Sequence, residues 1–122
     1  MRSFVREESS HGVRIYWLEQ SRVIEEIQKK AVRTGAADQN VLKIVLFGSL
    51  AVGRGVPGSD ADVLVLLAED RRRFPDRIPE WLEKLYIDFP MDVFPYTVNE
   101  EDTPMLKEAL ARGIVLYEKQ DS

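Results

Sequence analysis

FGSLAVGRGVPGSDADVLVLL (residues 47–67) is the stretch of sequence that decides the fold. It places glycines, serines and aspartates between two apolar runs, VLKIVLF at 41–47 and DVLVLL at 62–67. Both runs are β-branched, of strand length and nearly continuous in apolar character, which is typical of strands buried on both faces. Because a plain turn needs only a Gly or an Asp, the larger set of special residues indicates a chemical role.

Two carboxylates, Asp60 and Asp62, stand at the start of the second run. Strand side chains alternate with a period of two, so both carboxylates project to the same face. Neighbouring carboxylates resist ionisation unless a cation lies between them, and oxygen ligands suit a hard cation such as Mg²⁺. An Asp-x-Asp pair by itself is more often only the polar start of a strand, so this interpretation depends on other residues.

A third carboxylate and a glycine–serine pair extend the candidate site. If the predicted strand MDVFPY at 91–96 lies beside the second run, Asp92 faces the first two carboxylates and completes a set that can hold two metal ions. Gly48 and Ser49 follow the first run directly, and a short helix opening at Ser49 would offer its backbone N–H groups to a phosphate. Each feature alone has a simpler explanation, a capped turn or an exposed edge residue. Their joint occurrence favours a site.

The remaining periodicity predicts an α/β (α+β) fold, in which a small mixed sheet of about four strands is flanked by helices. Four strands are predicted, at 41–47, 62–67, 91–96 and 114–117. Helical spacing predicts three helices, over 14–33, 75–87 and 99–112, with Gly35 and Gly113 as stops and Asn99 or Thr103 as the last N-cap. Pro95 places the third strand at an edge. Residues 1–12 are expected to be a loose arm or a short edge strand, and 13–122 a single domain.

The composition limits the classes of function. A chain of 122 residues with 44% apolar and 31% charged residues suits one soluble domain. Its net charge of −4 argues against nucleic-acid binding, since phosphate neutralisation needs clustered Lys and Arg. The absence of cysteine excludes disulfides and thiolate metal sites. No apolar stretch reaches the about 18 residues of a membrane span, so a cytoplasmic protein without a membrane anchor is expected.

The combined motif resembles the signature of the minimal nucleotidyltransferase family of the DNA polymerase beta superfamily. In both, Gly-Ser is followed after ten residues by Asp-x-Asp and later by a further Asp, and the resemblance covers about residues 41–118. It implies a polymerase beta palm-like nucleotidyltransferase fold. It also implies a role for each site residue. Gly48 and Ser49 would bind the nucleotide triphosphate, and Asp60 and Asp62 would be Mg²⁺ ligands. Asp92 would be a metal ligand that acts as or near the general base.

One position departs from the family pattern. Many members carry G-S-x-A-R-G, but this chain has Val52 where they have the arginine. Arg54, just after the next glycine, is the alternative phosphate contact, and a solvent-facing Arg54 fits the sequence equally well.

The resemblance implies transfer of a nucleoside monophosphate, AMP from ATP, to a hydroxyl at a two-metal Mg²⁺ site. Small members of the family resemble antitoxins encoded beside a helical HEPN-type toxin, which they inactivate by adding nucleotide to a tyrosine. A chain of 122 residues has little room for a domain that holds the acceptor, so a partner protein is expected to supply it. The alternative is a non-catalytic antitoxin that neutralises its partner by binding. The apolar surfaces support a homodimer or a toxin–antitoxin complex equally.

Overall fold

A four-stranded mixed sheet forms the centre of the computed structural model, which describes residues 4–100 and 102–120. The strands are β1 (Val5–Ser10), β2 (Val13–Leu18), β3 (Val41–Phe47), β4 (Ala61–Leu67), β5 (Met91–Thr97) and β6 (Ile114–Glu118). The helices are α1 (Gln20–Ala36), α2 (Phe74–Leu85) and α3 (Pro104–Arg112), with a 3₁₀ turn at Val98–Glu100. The sheet has the order β5-β4-β3-β6, and β1 and β2 form a separate hairpin. The prediction of a mixed α+β fold with a four-stranded sheet is confirmed.

The core lies on both faces of β3 and β4. On one face, Ile44, Val63 and Val65 are buried together with apolar residues of α1 and α2. On the other face, Leu64 and Leu66 are buried with residues of α3. Each such side chain contributes roughly 1.5–3 kcal/mol when it leaves water, which explains why both runs are apolar at nearly every position. β5 pairs only with β4 in the described sheet, so Pro95 does lie in an edge strand.

The first five residues of the first predicted helix lie in a strand, so the prediction of a helix from Arg14 is wrong. Residues 13–18 form β2, which pairs antiparallel with β1, and α1 begins only at Gln20. The reason is local: His11 and Gly12 both have positive φ, 51° and 79°, the geometry of a two-residue hairpin turn. The β-branched and aromatic residues that follow favour a strand over a helix. Of the expected arm, residues 5–10 are therefore β1, and residues 1–3 lie outside the described part.

Gly35 is a packing position inside α1, not the predicted stop. It continues the buried stripe of Val23, Ile27 and Ala31 at a spacing of four residues. A Cβ built on Gly35 would overlap the ring of Tyr117 in β6, so glycine lets the helix approach this strand closely. The helix ends at Ala36, one residue later.

The last helix is shorter than predicted because the residues expected to begin it form a separate turn. Residues 98–100 form a 3₁₀ turn, and α3 begins at Pro104 with Thr103 as its N-cap residue. The Glu100 carboxylate accepts hydrogen bonds from the backbone N–H and the hydroxyl of Thr97, which holds this segment in a tight turn. Within the described ranges, no helix is long and apolar enough to cross a membrane.

Arg77, on α2, is a buried cation that ties α2 to the end of β5. Its guanidinium donates to the carbonyl oxygens of Arg72 at 2.8 Å and Pro95 at 3.0 Å and to Glu100 Oε1 at 2.7 Å. Desolvation opposes ionisation of Glu100, but the hydrogen bonds from Thr97 and Arg77 outweigh it and lower the pKa of that carboxyl. A buried charge that is fully hydrogen-bonded is tolerated, whereas removing one partner leaves the other exposed to the cost of burial.

We expect Arg77→Met to lower the free energy of unfolding by about 3 kcal/mol, because it removes the charge-assisted hydrogen bond to Glu100 and leaves the carbonyl oxygens of Asp70, Arg72 and Pro95 without this donor. Urea denaturation followed by circular dichroism measures the change. Arg73→Met is the matched control, since Arg73 is exposed at the start of the same helix. Equal losses in the two variants would contradict the assigned role of Arg77.

Candidate functional site

The pairing of β4 with β5 brings two of the three predicted carboxylates together. The strands run parallel, and Asp62 pairs directly with Asp92. Neighbouring strands lie about 4.8 Å apart, and residues in register project to the same face. The backbone N–H of Ala61 donates to the Pro90 carbonyl oxygen at 2.9 Å, which fixes this register at the start of both strands. Asp60 precedes β4 immediately, two residues before Asp62.

The charges of these residues act on one another. Asp62 is half-buried, whereas Asp60 and Asp92 are exposed. Burial raises the pKa of Asp62, and the negative charges of Asp92 and Asp60 raise it further. The carboxylate therefore resists ionisation in the folded chain, and a cation placed beside it would reverse this effect.

The three carboxylates do not yet form a closed set of metal ligands. Among residues 4–100 and 102–120, no group of three or more His, Cys, Asp and Glu side chains is arranged to hold a metal ion. The expected convergence of Asp60, Asp62 and Asp92 within bridging reach is thus not present as a formed cluster, and mutual repulsion of like charges favours separated side chains. Their chemistry still fits Mg²⁺, because all three offer hard oxygen donors from adjacent backbone positions.

Gly48 lies against the Asp62 carboxylate. A Cβ built on Gly48 would overlap Asp62 Oδ2 and lie 3.3 Å from Asp62 Cγ. Gly48 also has a φ of 79°, which only glycine adopts without strain. Two independent reasons thus require glycine here, and both bring the turn backbone next to the candidate metal ligand.

The predicted short helix at Ser49 is absent, and hydrogen-bonded turns take its place. The N–H of Ala51 donates to the Gly48 carbonyl oxygen at 3.1 Å, and the N–H of Arg54 donates to the Ser49 carbonyl oxygen at 2.8 Å. Leu50, only 1% exposed, anchors the turn in the core. Two glycines with positive φ, Gly48 and Gly53, keep the chain from continuing as a helix. A phosphate would therefore meet a compact turn and not a helix N-terminus.

Gln20 holds the glycine-rich loop in position, a role that was not predicted from the sequence. Its side-chain Oε1 accepts from the N–H of Gly55 at 2.8 Å, and its Nε2 lies 3.5 Å from the Gly53 carbonyl oxygen. The first residue of α1 thus holds the far side of the glycine-rich loop. No signal in the sequence points to it, because its partner atoms belong to backbone thirty-five residues away.

An aromatic pair flanks the carboxylates. Phe47 pairs with Asp62 across β3 and β4, and Phe94 follows Asp92 by two residues on the same face. Their ring centroids lie 5.4 Å apart. Both rings are half-buried and belong to the face of the sheet that carries Asp62, whose burial raises its pKa. The alternation D-x-F in β5 is the sequence signal that identifies Phe94.

Val52 and Arg54, the two loop positions considered for the phosphate contact, are both exposed. Val52, where many family members carry arginine, is 56% exposed. Arg54 is exposed as well. The outward position of Arg54 leaves its guanidinium accessible from solvent, as a phosphate contact requires.

We expect Gly48→Ala to destabilise the fold more than Gly53→Ala. Both glycines have similar positive φ, 79° and 76°, but a Cβ on Gly53 would meet nothing within 4 Å. The backbone cost of about 1 kcal/mol is therefore shared, and the excess loss at Gly48 reports the clash with Asp62. Urea denaturation of both variants measures the difference. Equal losses would contradict the close approach of Gly48 to Asp62.

Asp62→Asn should stabilise the fold at neutral pH, by about 0.5 kcal/mol once solvent screening is allowed for. Because folding raises the pKa of Asp62, its contribution to stability is complete below the ordinary value of 3.8 and is lost as pH rises through the folded value. Parent and variant should thus unfold alike in acid and separate as pH rises, in urea denaturation at several pH values. Asp76→Asn is the control, since Asp76 is an exposed aspartate of α2, and it should not stabilise the fold. A loss of stability in Asp62→Asn at neutral pH would contradict the repulsion.

Comparison with known proteins gives the family and the fold. The sequence matches the family described as "Polymerase beta, Nucleotidyltransferase" over residues 25–122. A solved "putative nucleotidyltransferase from Sulfolobus solfataricus" is similar in fold, with a TM-score of 0.60 and 18% identity over 82% of this chain and 84% of that one. A chain of a toxin–antitoxin structure with AMP-PNP gives a TM-score of 0.53 and 23% identity over 76% of this chain and 74% of that one.

No curated protein matches the sequence. The family match nevertheless spans most of the chain and includes the turn at Gly48 and all three aspartates. The chain therefore belongs to the polymerase beta nucleotidyltransferase family and is a nucleotidyltransferase.

Proposed function

We propose that this nucleotidyltransferase moves AMP from ATP to a hydroxyl group of a partner protein, and that the partner is a helical HEPN-type toxin. The observation that carries the proposal is the parallel register of Asp62 with Asp92 beside the turn at Gly48. Like charges held side by side lower the stability of the fold. A reaction that uses cations bound to phosphates would explain why these charges are kept together.

Asp60, Asp62 and Asp92 would hold Mg²⁺, in a two-metal arrangement. Their oxygen donors and the raised pKa of Asp62 fit a divalent cation, which lowers that pKa when it binds. Bound Mg²⁺ supplies charge neutralisation for the phosphates and for the oxygens that enter and leave.

The chain's own residues position the donor. Gly48 lets the turn backbone approach the triphosphate without a side chain in the way, and Ser49 offers a hydroxyl hydrogen bond. Arg54, exposed on the same loop, would neutralise part of the phosphate charge in place of the arginine that Val52 replaces. Gln20 keeps the loop in position through Gly55.

The transfer itself needs one proton acceptor. The acceptor hydroxyl oxygen attacks the α-phosphorus of ATP, a new P–O bond forms, and the bond from the α-phosphorus to the bridging oxygen breaks. Pyrophosphate leaves with that bonding electron pair. Asp92, exposed beside Asp62, accepts the hydroxyl proton as, or close to, the general base. Positioning and charge neutralisation supply most of the rate enhancement in such a step.

One observation supports a protein acceptor. The similar toxin–antitoxin structure with AMP-PNP supports both a toxin partner and an adenine nucleotide, at the level of a shared fold. We place the reaction in the cytoplasm, where ATP and such partners meet.

Incubation of the chain with Mg²⁺, ATP labelled at the α-phosphate and a HEPN-type toxin tests the proposal. We expect label on the toxin, none without Mg²⁺, and a loss of at least about 100-fold in Asp62→Asn and in Asp92→Asn. Asp76→Asn is the matched control and should transfer at the parental rate, since it is exposed on α2 away from the site. Mass spectrometry identifies the added group and the residue that carries it.

A second outcome separates catalysis from binding. If no label is transferred and an Asp60→Ala/Asp62→Ala chain still neutralises the toxin, the chain acts by binding alone and the enzymatic proposal is wrong. If label appears on a small molecule in a toxin-free extract, the donor chemistry stands and the protein acceptor is wrong.

A further inference from the structure

The β1–β2 hairpin projects from the body of the protein. Its base is buried through Phe4 and Leu18, and Phe4 packs edge-on against Phe89 at a centroid distance of 5.8 Å. Beyond the base, residues 6–16 are exposed on both faces of the ribbon. An isolated two-stranded ribbon is only marginally stable in water, so a ribbon with apolar side chains on its surface points to a further contact.

The two edges of the ribbon differ in charge. β1 carries Arg6, Glu7 and Glu8 in its middle, the kind of charged edge that prevents further strand pairing. β2 reads VRIYWL and carries one charge, Arg14, which lies 3.7 Å from Glu7. Within the described part of the chain, β2 pairs with β1 and with no other strand. β2 is thus an apolar edge without the protection that β1 has.

The hairpin turn determines which backbone groups this edge presents. In a two-residue hairpin, the residues flanking the turn, Ser10 and Val13, form a hydrogen-bonded pair. Alternation then directs the N–H and C=O groups of Ile15 toward β1 and those of Arg14 and Tyr16 outward. A strand added at this edge must therefore hydrogen-bond to Arg14 and Tyr16.

We propose that β2 pairs antiparallel with β2 of a second copy of this chain, with the twofold axis at Ile15. In this register, Arg14 and Tyr16 exchange hydrogen bonds with Tyr16 and Arg14 of the second copy. Ile15 faces Ile15 across the axis as a non-hydrogen-bonded pair. The two ribbons become one four-stranded antiparallel sheet, with β1 as the charged strand at both outer edges.

The side chains match in this register on both faces. On one face, Val13 meets Trp17 of the second copy beside the central Ile15 pair, so six apolar side chains form one continuous strip. On the other face, the guanidinium of Arg14 meets the ring of Tyr16, a favourable cation–aromatic contact. Val13, Ile15 and Tyr16 are 57%, 52% and 51% exposed, and this pairing would remove part of that apolar surface from water.

Other registers are less favourable. A shift of two residues one way places Arg14 opposite Arg14, and a shift the other way places it opposite Leu18, which is buried at the hairpin base. Pairing of β1 with itself around Glu7 or Glu8 places carboxylates opposite one another, which is destabilising. Charge and burial therefore select the register centred on Ile15.

The contact is small, so we expect a dimer that depends on concentration. Five residues of each chain take part, and they bury much less than the about 800 Å² per partner of a typical stable interface. The pairing is separate from the aspartates, and it holds or fails independently of the proposed transfer reaction.

Disulfide trapping tests the register, because the chain has no cysteine of its own. In the proposed dimer the two Ile15 Cα atoms lie about 4.5 Å apart, within the range that a disulfide spans. Under mild oxidation, we expect Ile15→Cys to form a covalent dimer at a rate roughly tenfold or more above that of Glu8→Cys. Glu8 is the matched control, since it is exposed and pairs with Ile15 on the opposite strand of the ribbon.

Sedimentation of the full chain over a concentration series provides the second measurement. We expect association of the parent and a monomer for Ile15→Lys, with unchanged circular dichroism and unchanged label transfer. A parent that stays monomeric at all concentrations would overturn the proposal, as would equal crosslinking of Ile15→Cys and Glu8→Cys. Crosslinking of Ile15→Cys only to a different polypeptide would assign the edge to another partner and overturn self-pairing.

Discussion

The parallel register of β4 and β5 is the constraint on which the rest of the site depends. It holds Asp62 beside Asp92 although their charges repel, and the register is fixed by the apolar pairs that follow along both strands. A slip of β4 by one residue would turn Asp62 to the face covered by α1 and α2, away from Asp92, and would exchange the core residues of β4 between the two faces of the sheet. The apolar residues of β4 thus determine where the charges lie, and the free energy gained in the core offsets the repulsion at the end of the strands.

The shape of the turn between β3 and β4 is likewise determined by its contacts with neighbouring residues. Gly48 gives the Asp62 carboxylate space, Leu50 anchors the turn, and Gln20 holds its far side. One short segment therefore positions both the Asp62 carboxylate and the turn backbone beside it, and a change at any of these contacts is expected to move both.

Much of this could be predicted from the sequence, and the failures have specific causes. β3 and β4 were predictable because strands buried on both faces have a nearly continuous apolar pattern, and α2 because its stripe is long. β2 was mistaken for helix because Ile15 and Leu18, three residues apart, fit the helical spacing that continues through α1. Gly35 was mistaken for a stop because its reason, the ring of Tyr117, lies 82 residues away in the chain. The aspartates could be proposed from spacing, but the raised pKa of Asp62 depends on burial and on the charges of Asp92 and Asp60, which only the fold brings together.

The contact of Gly35 with Tyr117 also has a consequence for synthesis on the ribosome. β6 follows the other described strands in the chain, and it pairs with β3, which is made some seventy residues earlier. Until β6 emerges, one side of β3 and the groove along α1 at Gly35 remain open to water. Before β6 is available, β3 can pair only with β4 and keeps one unpaired edge, and the native sheet closes only after residues 114–118 have left the exit tunnel.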